Sequence, residues 1–259
     1  MRKNILFIGV CILFTGLVAL TAGAQEEPAM PENFVVFEEM VSPADMPAFY
    51  EAQAKVVELW KKHGMDIPVY CYYTDESAYY WVVPIKNFAA IDELFKKSGE
   101  VSAKMKEDGF DGTKAFRDLS TVNTSVINWK KDLSYHPEGQ TGEQTFKGYD
   151  EWTFMYLRQG HEEELTEAFK KMIDFYDSIP ESHDWDVYSM TFGYDTPCWI
   201  IMRQGESRAA MRKFDEELNK KYREKLNEIW AEIGPHLRKM KKINGWYWRG
   251  WSQPWEAGE

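Results

Sequence analysis

Tyr80-Trp81-Val82-Val83 returns 118 positions later as Cys198-Trp199-Ile200-Ile201, and how much of the chain keeps that register decides the fold. Val69-Tyr70 returns as Val187-Tyr188, and Phe34-Val35-Val36-Phe37 meets Trp152-Thr153-Phe154-Met155, both at the same spacing. Later, Phe95 falls against Phe214 and Asn128-Trp129-Lys130 against Tyr247-Trp248-Arg249, now at a spacing of 119, which one inserted residue would explain. Landmarks kept in order at one spacing mark an internal duplication.

Each copy carries the same predicted elements. An extended run (Phe34–Val41; Trp152–Gln159) leads into an amphipathic helix. In the second copy Leu165, Phe169, Met172, Tyr176 and Ile179 recur at three- and four-residue steps, one face of a helix. Glu162, Glu163 and Glu164 crowd its first turn, where carboxylates suit the positive end of the helix dipole. In the first copy Asp45 is the expected N-cap, Pro47 fits the first turn, and His63-Gly64 stops the helix near Lys62. Two strands follow in each copy, Ile67–Thr74 with Tyr79–Pro84 and Trp185–Phe192 with Cys198–Arg203, joined by turn-forming residues. Then comes a second helix, broken by Gly99 and Gly109 in the first copy. In the second it is long, and ends at Gly234-Pro235. A fourth strand closes each half, Thr124–Leu133 and Ile243–Trp251. The order is β-α-β-β-α-β twice, two ferredoxin-like halves of an α+β protein.

The predicted organisation is a signal peptide over 1–24, a first half over 25–133, a linker over 134–147 and a second half over 148–259. Arg2 and Lys3 precede an apolar run from Ile5 to Leu20, and Thr21-Ala22-Gly23-Ala24 offers small residues for cleavage between Ala24 and Gln25. The run is about 16 residues, short for a bilayer core that needs roughly 20. The expectation is a secreted or periplasmic chain with no membrane segment after the leader is removed. Losing two basic residues and no acids takes the formal charge from −11 to −13. An acidic chain without a basic stripe repels polyanions, so nucleic acid is a poor partner. Cys71 and Cys198 remain after cleavage. They fall in different strands of their halves, with nothing to bring them into disulfide reach.

Two tandem ferredoxin-like halves resemble the dimeric α+β barrel superfamily, which includes the antibiotic-biosynthesis-monooxygenase-like and NIPSNAP-like domains. The resemblance covers nearly all of the chain after the leader and rests on element order and repetition. It implies two sheets closing face to face into an intrachain pseudo-dimeric barrel. Members include cofactor-free oxygenases, haem-handling enzymes, isomerases and proteins with no established activity. No sharp motif carries a family catalytic residue to a numbered position here, and fold alone does not define a reaction.

Aromatic residues make up 15% of the chain and concentrate on the strands, which makes them the candidate ligand surface. Trp81, Trp199, Trp129 and Trp248, paired by the repeat, are the expected lining of a cavity between the halves, with Tyr70 and Tyr188. The alternative is a large packed aromatic core. Among strand polar residues, Glu38, Arg158 and Arg203 are candidate ligand contacts, with solvated strand ends as their alternative reading. Tyr156 and Arg158 sit in the repeat at the level of Glu38 and Glu39, and Arg249 lies in the last strand. His63, His136, His161, His183 and His236 are scattered without metal-ligand spacing, so no metal site is predicted. No cofactor is predicted from the residues; the resemblance leaves haem open through a single histidine. Phosphate-binding glycine loops and nucleophile motifs are absent. Three functions remain open: binding a small apolar or aromatic molecule, a cofactor-independent monooxygenase, isomerase or haem enzyme on the same scaffold, and a non-catalytic interaction module with a packed core.

Overall fold

The computed structural model describes residues 31–137 and 148–253 apart from Ser182 and Tyr194. The leader with its Ala24/Gln25 cleavage position and most of the expected linker lie outside the described residues. The first half comprises β1 (Asn33–Val41), α1 (Met46–His63), β2 (Tyr70–Thr74), β3 (Ala78–Ile85), α2 (Ala90–Glu107), α3 (Gly112–Ala115) and β4 (Ser120–Trp129). The second comprises β5 (Tyr149–Leu157), α4 (Glu162–Asp177), β6 (Asp186–Phe192), β7 (Cys198–Gly205), α5 (Arg208–Ile233) and β8 (Leu237–Tyr247).

These eight strands join one closed barrel in the order β1-β3-β2-β8-β5-β7-β6-β4. Within each half the sheet order is the ferredoxin-like one, β4-β1-β3-β2 and β8-β5-β7-β6. Antiparallel pairs β2·β8 and β4·β6 sew the halves together. Closure pairs each strand on both sides. Every strand therefore has a lumen face and an outer face, and residues alternate between them. Phe34, Val36, Tyr72, Tyr80, Trp152, Phe154 and Ile200 pack in the lumen. Their neighbours Val35, Cys71, Tyr79, Trp81 and Val83 pack under the first half's helices, and Met155, Leu157, Trp199 and Ile201 under the second's.

Local chemistry sets the end of α1. Gly64 ends α1 in the left-handed conformation at φ +66°, and the amide of Met65 returns to Trp60 O at 2.9 Å. Two expectations need correcting. Asp45 occupies the N-cap position, but its side chain makes no capping bond. Gly99 does not break α2, which runs through it to Glu107, held down by buried Leu94, Val101 and Met105; the cost of a helical glycine, about 1 kcal/mol, is outweighed by that burial.

The repeat register also needs correcting at the fourth strand. Trp81 stands opposite Phe37 and Trp199 opposite Met155, which preserves the spacing of 118. In the last strands, however, Asn33 pairs with Asn128 whereas Glu151 pairs with Asn244, a spacing of 116 and not 119. The structural counterpart of Trp129 is thus Gly245, and Trp248 lies beyond the strand.

The chain following each fourth strand crosses to the other half. Leu133 and Tyr135 are buried in the second half's helix-side core, and Tyr135 exchanges backbone bonds with Trp185 at 2.9 and 3.0 Å. Trp251 is buried in the first half's helix-side core beside Trp248, while Gln253 exchanges backbone bonds with Val69 at 2.7 and 3.0 Å. Ser134 and Tyr135, at the start of the expected linker, pack against the second half. Cys71 and Cys198 are both buried and free, one on each strand face.

Candidate functional site

The lumen between the halves is mostly filled by side chains. What remains is a cavity of about 60 Å³ walled by aromatic and aliphatic residues of both sheets, including Tyr70, Tyr188 and Trp152. Among the described residues, Glu38 alone brings a charge to its wall. Its Oε1 accepts from the Tyr80 hydroxyl at 2.5 Å and its Oε2 from Asn123 Nδ2 at 3.1 Å.

A larger cavity, about 310 Å³, lies on the opposite side of the first sheet, between β1, β3 and β4 below and α1, α2 and α3 above. Phe37, Trp60, Trp81, Phe95 and Phe116 supply aromatic wall, and Phe95 and Val122 are exposed, at 56% and 51%. Three polar side chains join the wall: Glu39, Gln53 and Ser98. Glu39 is fixed from two sides, since Ser120 Oγ donates to its Oε1 at 2.6 Å and Trp81 Nε1 to its Oε2 at 3.0 Å. Burial raises the Glu39 carboxyl above the ordinary carboxylate value, while those two bonds oppose the rise. An apolar chamber with one anchored carboxyl and a pocket-sized volume has the make-up of a small-molecule site.

The second half does not repeat this chamber. At the preserved spacing of 118, Leu157 replaces Glu39 and Met155 replaces Phe37, both completely buried. Trp199, the counterpart of Trp81, is 1% exposed and packs edge-on against Phe169 at 5.5 Å. The 26-residue α5 carries Ile229 and Ile233 into this layer, whereas α2 stops after 18 residues.

The candidate residues are therefore dispersed. Tyr70, Tyr188 and Glu38 line the lumen cavity. Trp81 lines the helix-side chamber, not the space between the halves. Trp199 lines neither. Trp129 lies at the margin of the lumen cluster, with its indole N–H bonded to Ser134 Oγ and Asp186 Oδ1, both at 2.8 Å. Trp248 faces the first half's helices, 5.8 Å from Tyr50 and 5.5 Å from Trp251. Arg158 lies just past β5 and is exposed. Arg203 points to the helix side, 2.8 Å from Asp215 and 3.7 Å from Glu151, and lines neither cavity. The carboxyl that enters the chamber is Glu39, the neighbour of the candidate Glu38. Consecutive strand residues face opposite sides, so one of that pair has to enter the helix layer, and this alternation is the signal that points to it.

No family model matches the chain, and no curated protein matches it in sequence. Solved structures do share its fold. An anthrone oxidase-like protein matches with a TM-score of 0.56 at 11% identity, over 85% of this chain and 92% of that one. A mutant chlorite dismutase from Candidatus Nitrospira defluvii gives 0.52 at 14% identity, over 85% and 93%. A protein named for monooxygenase activity from Fusobacterium nucleatum gives 0.50 at 12%, over 84% and 93%. The chain has the dimeric α+β barrel fold, with both ferredoxin-like halves in one polypeptide.

A haem would need an axial ligand, most simply an imidazole. None of the histidines lines either cavity. His63 is held by Asp108 at 2.8 Å and His136 by Asp186 at 3.1 Å. His161 and His236 face one another at 3.0 Å, and His183 rests on Phe214. The residues present do not fit a histidine-ligated haem in these cavities. Among the described residues no cluster of three His, Cys, Asp or Glu side chains could hold a metal, and no helix is long and apolar enough to cross a membrane.

Proposed function

We propose that this protein binds a small, flat, largely apolar molecule carrying one hydrogen-bond donor, in the helix-side chamber of its first half. The observation that carries the reading is the Glu39–Trp81 pair inside a chamber of about 310 Å³. The lumen, at about 60 Å³, falls well below the several hundred Å³ usual for ligand pockets, so the ligand is assigned to one half and not to the space between them. Aromatic walls favour a ring system, and Glu39 favours a hydroxyl or protonated amine at one edge. The basic and apolar leader supports an exported protein meeting its ligand outside the cytoplasm; N-terminal sequencing of protein recovered from the export compartment should begin at Gln25.

The test is a fluorescence titration with 2-naphthol and with 2-methoxynaphthalene, which lacks the donor. Saturable binding of 2-naphthol, roughly tenfold tighter than its ether and weakened by both Trp81→Phe and Glu39→Gln, is expected. Equal affinity for the two compounds, or binding untouched by both substitutions, would overturn the reading.

Catalysis in the same chamber is a second reading, favoured by the raised Glu39 carboxyl, which suits a proton acceptor for an acidic O–H or C–H group. Proteins of this fold include ones named for oxidase and monooxygenase activity, but at such low identity they support the scaffold only. Exchange of an acidic C–H of a bound ligand with deuterated solvent, abolished by Glu39→Gln, checks it.

A further inference from the structure

Trp152 stands in the middle of β5 and in the wall of the lumen cavity, 6% exposed. Tyr80 and Tyr72 pack against it edge-on, at 4.6 and 5.2 Å between ring centres. Its indole N–H is fully buried and has no acceptor among the described residues. A buried donor without a partner costs on the order of 1–3 kcal/mol. The lumen is otherwise well supplied with hydrogen-bonding groups: Ser125 and Glu38 share the wall, and Tyr72 and Tyr188 contribute phenols. Burial keeps both phenols protonated far above neutral pH.

We infer that the lumen is a second binding site, independent of the helix-side chamber, for a very small neutral molecule whose oxygen accepts the Trp152 N–H. Size, charge and polarity each narrow the class. A cavity of about 150 Å³ accommodates benzene, so about 60 Å³ admits roughly two to four non-hydrogen atoms. Among the described residues no lysine or arginine lines the wall while Glu38 does, which disfavours an anion. An unsatisfied N–H donor disfavours a cation at the same spot. Short alcohols, aldehydes and amides remain; an amide or alcohol can also donate to the phenol oxygens or to Glu38.

The test uses the mature protein with ¹⁵N-labelled tryptophan indoles and formamide as the probe. The Trp152 signal is identified by its loss in Trp152→Phe. A saturable shift confined to that signal, and abolished by Val36→Leu, which narrows the lumen by one methylene, is the expected result. A Trp152 indole that stays put, or drifts linearly in step with the other indoles, would falsify the site. So would a long-lived water on the N–H that formamide does not displace, because the lumen would then be hydrated structure. Should Trp152→Phe not fold, the signal is identified by its through-space contacts with the Tyr72 and Tyr80 rings, and Tyr188→Phe, which alters the wall while keeping the indole, should change the saturation midpoint. The naphthol titration reads the other chamber, so the two proposals can fail separately.

Discussion

Trp81 donates its indole N–H to Glu39 at 3.0 Å across the β1–β3 pair, and that bond sits in the wall of the larger cavity. It orients a carboxyl that Ser120 holds from the other side, at 2.6 Å. Glu39→Gln keeps an acceptor for Trp81 but removes the charge. It is expected to weaken 2-naphthol binding about tenfold, as loss of a charge-assisted hydrogen bond does. Glu39→Ala should weaken it further and also destabilise the fold, because the indole loses its acceptor. Calorimetric titration and thermal melts of both variants check this.

Asp150 is buried at the start of β5, 1% exposed, and its Oδ1 accepts from the Gln204 amide at 3.0 Å. Burial pushes its carboxyl up to about 7. The folded state thus holds this proton more tightly than the unfolded chain. Its contribution to stability is full below the unfolded value near 4 and is lost as pH rises through about 7. Stability should therefore decline between about pH 4 and pH 7, by up to roughly a few kcal/mol from this group. Asp150→Asn should flatten that decline, as read in urea unfolding at several pH values.

Trp199→Ala should cost about 3–5 kcal/mol, the usual range for removing a buried large aromatic. Trp81→Ala should cost less, because one side of that ring already faces a cavity. Equal losses in chemical denaturation would mean that the chamber closes around Trp81 in solution.

Trp251→Ala should destabilise the first half selectively. The ring packs against Phe49, Tyr79 and Trp81, although it comes from the end of the chain. Hydrogen exchange should show protection falling first in α1, with α4 changing last. Uniform loss across both halves would show that they unfold as one unit.

The element order and the spacing of 118 are readable in the sequence because aromatic and β-branched residues cluster in the strands and recur. Which face each aromatic takes is not. A strand covered on one side by helices and on the other by a second sheet loses the polar alternation that marks an inside and an outside. Tyr79-Tyr80-Trp81-Val82 is apolar throughout, so nothing local says that Tyr80 enters the lumen while Trp81 enters the helix layer. The fourth-strand register misleads for another reason: Asn-Trp-Lys and Tyr-Trp-Arg look alike, but backbone pairing sets Trp129 against Gly245. The chamber depends on how far α2 extends over the sheet, a tertiary property that residue spacing does not encode.

The crossed tails have a bearing on handling. A barrel made from two separate chains comes apart on dilution, and its melting point tracks protein concentration. Here the halves share one backbone, and each also finishes the other's interior through Tyr135 and Trp251. The two halves differ, one holding a hollow and the other filling it, and neither has to recognise an identical mate. The crossing also means that a fragment cut at the internal boundary would lack part of its own core, and only both pieces together could rebuild the molecule.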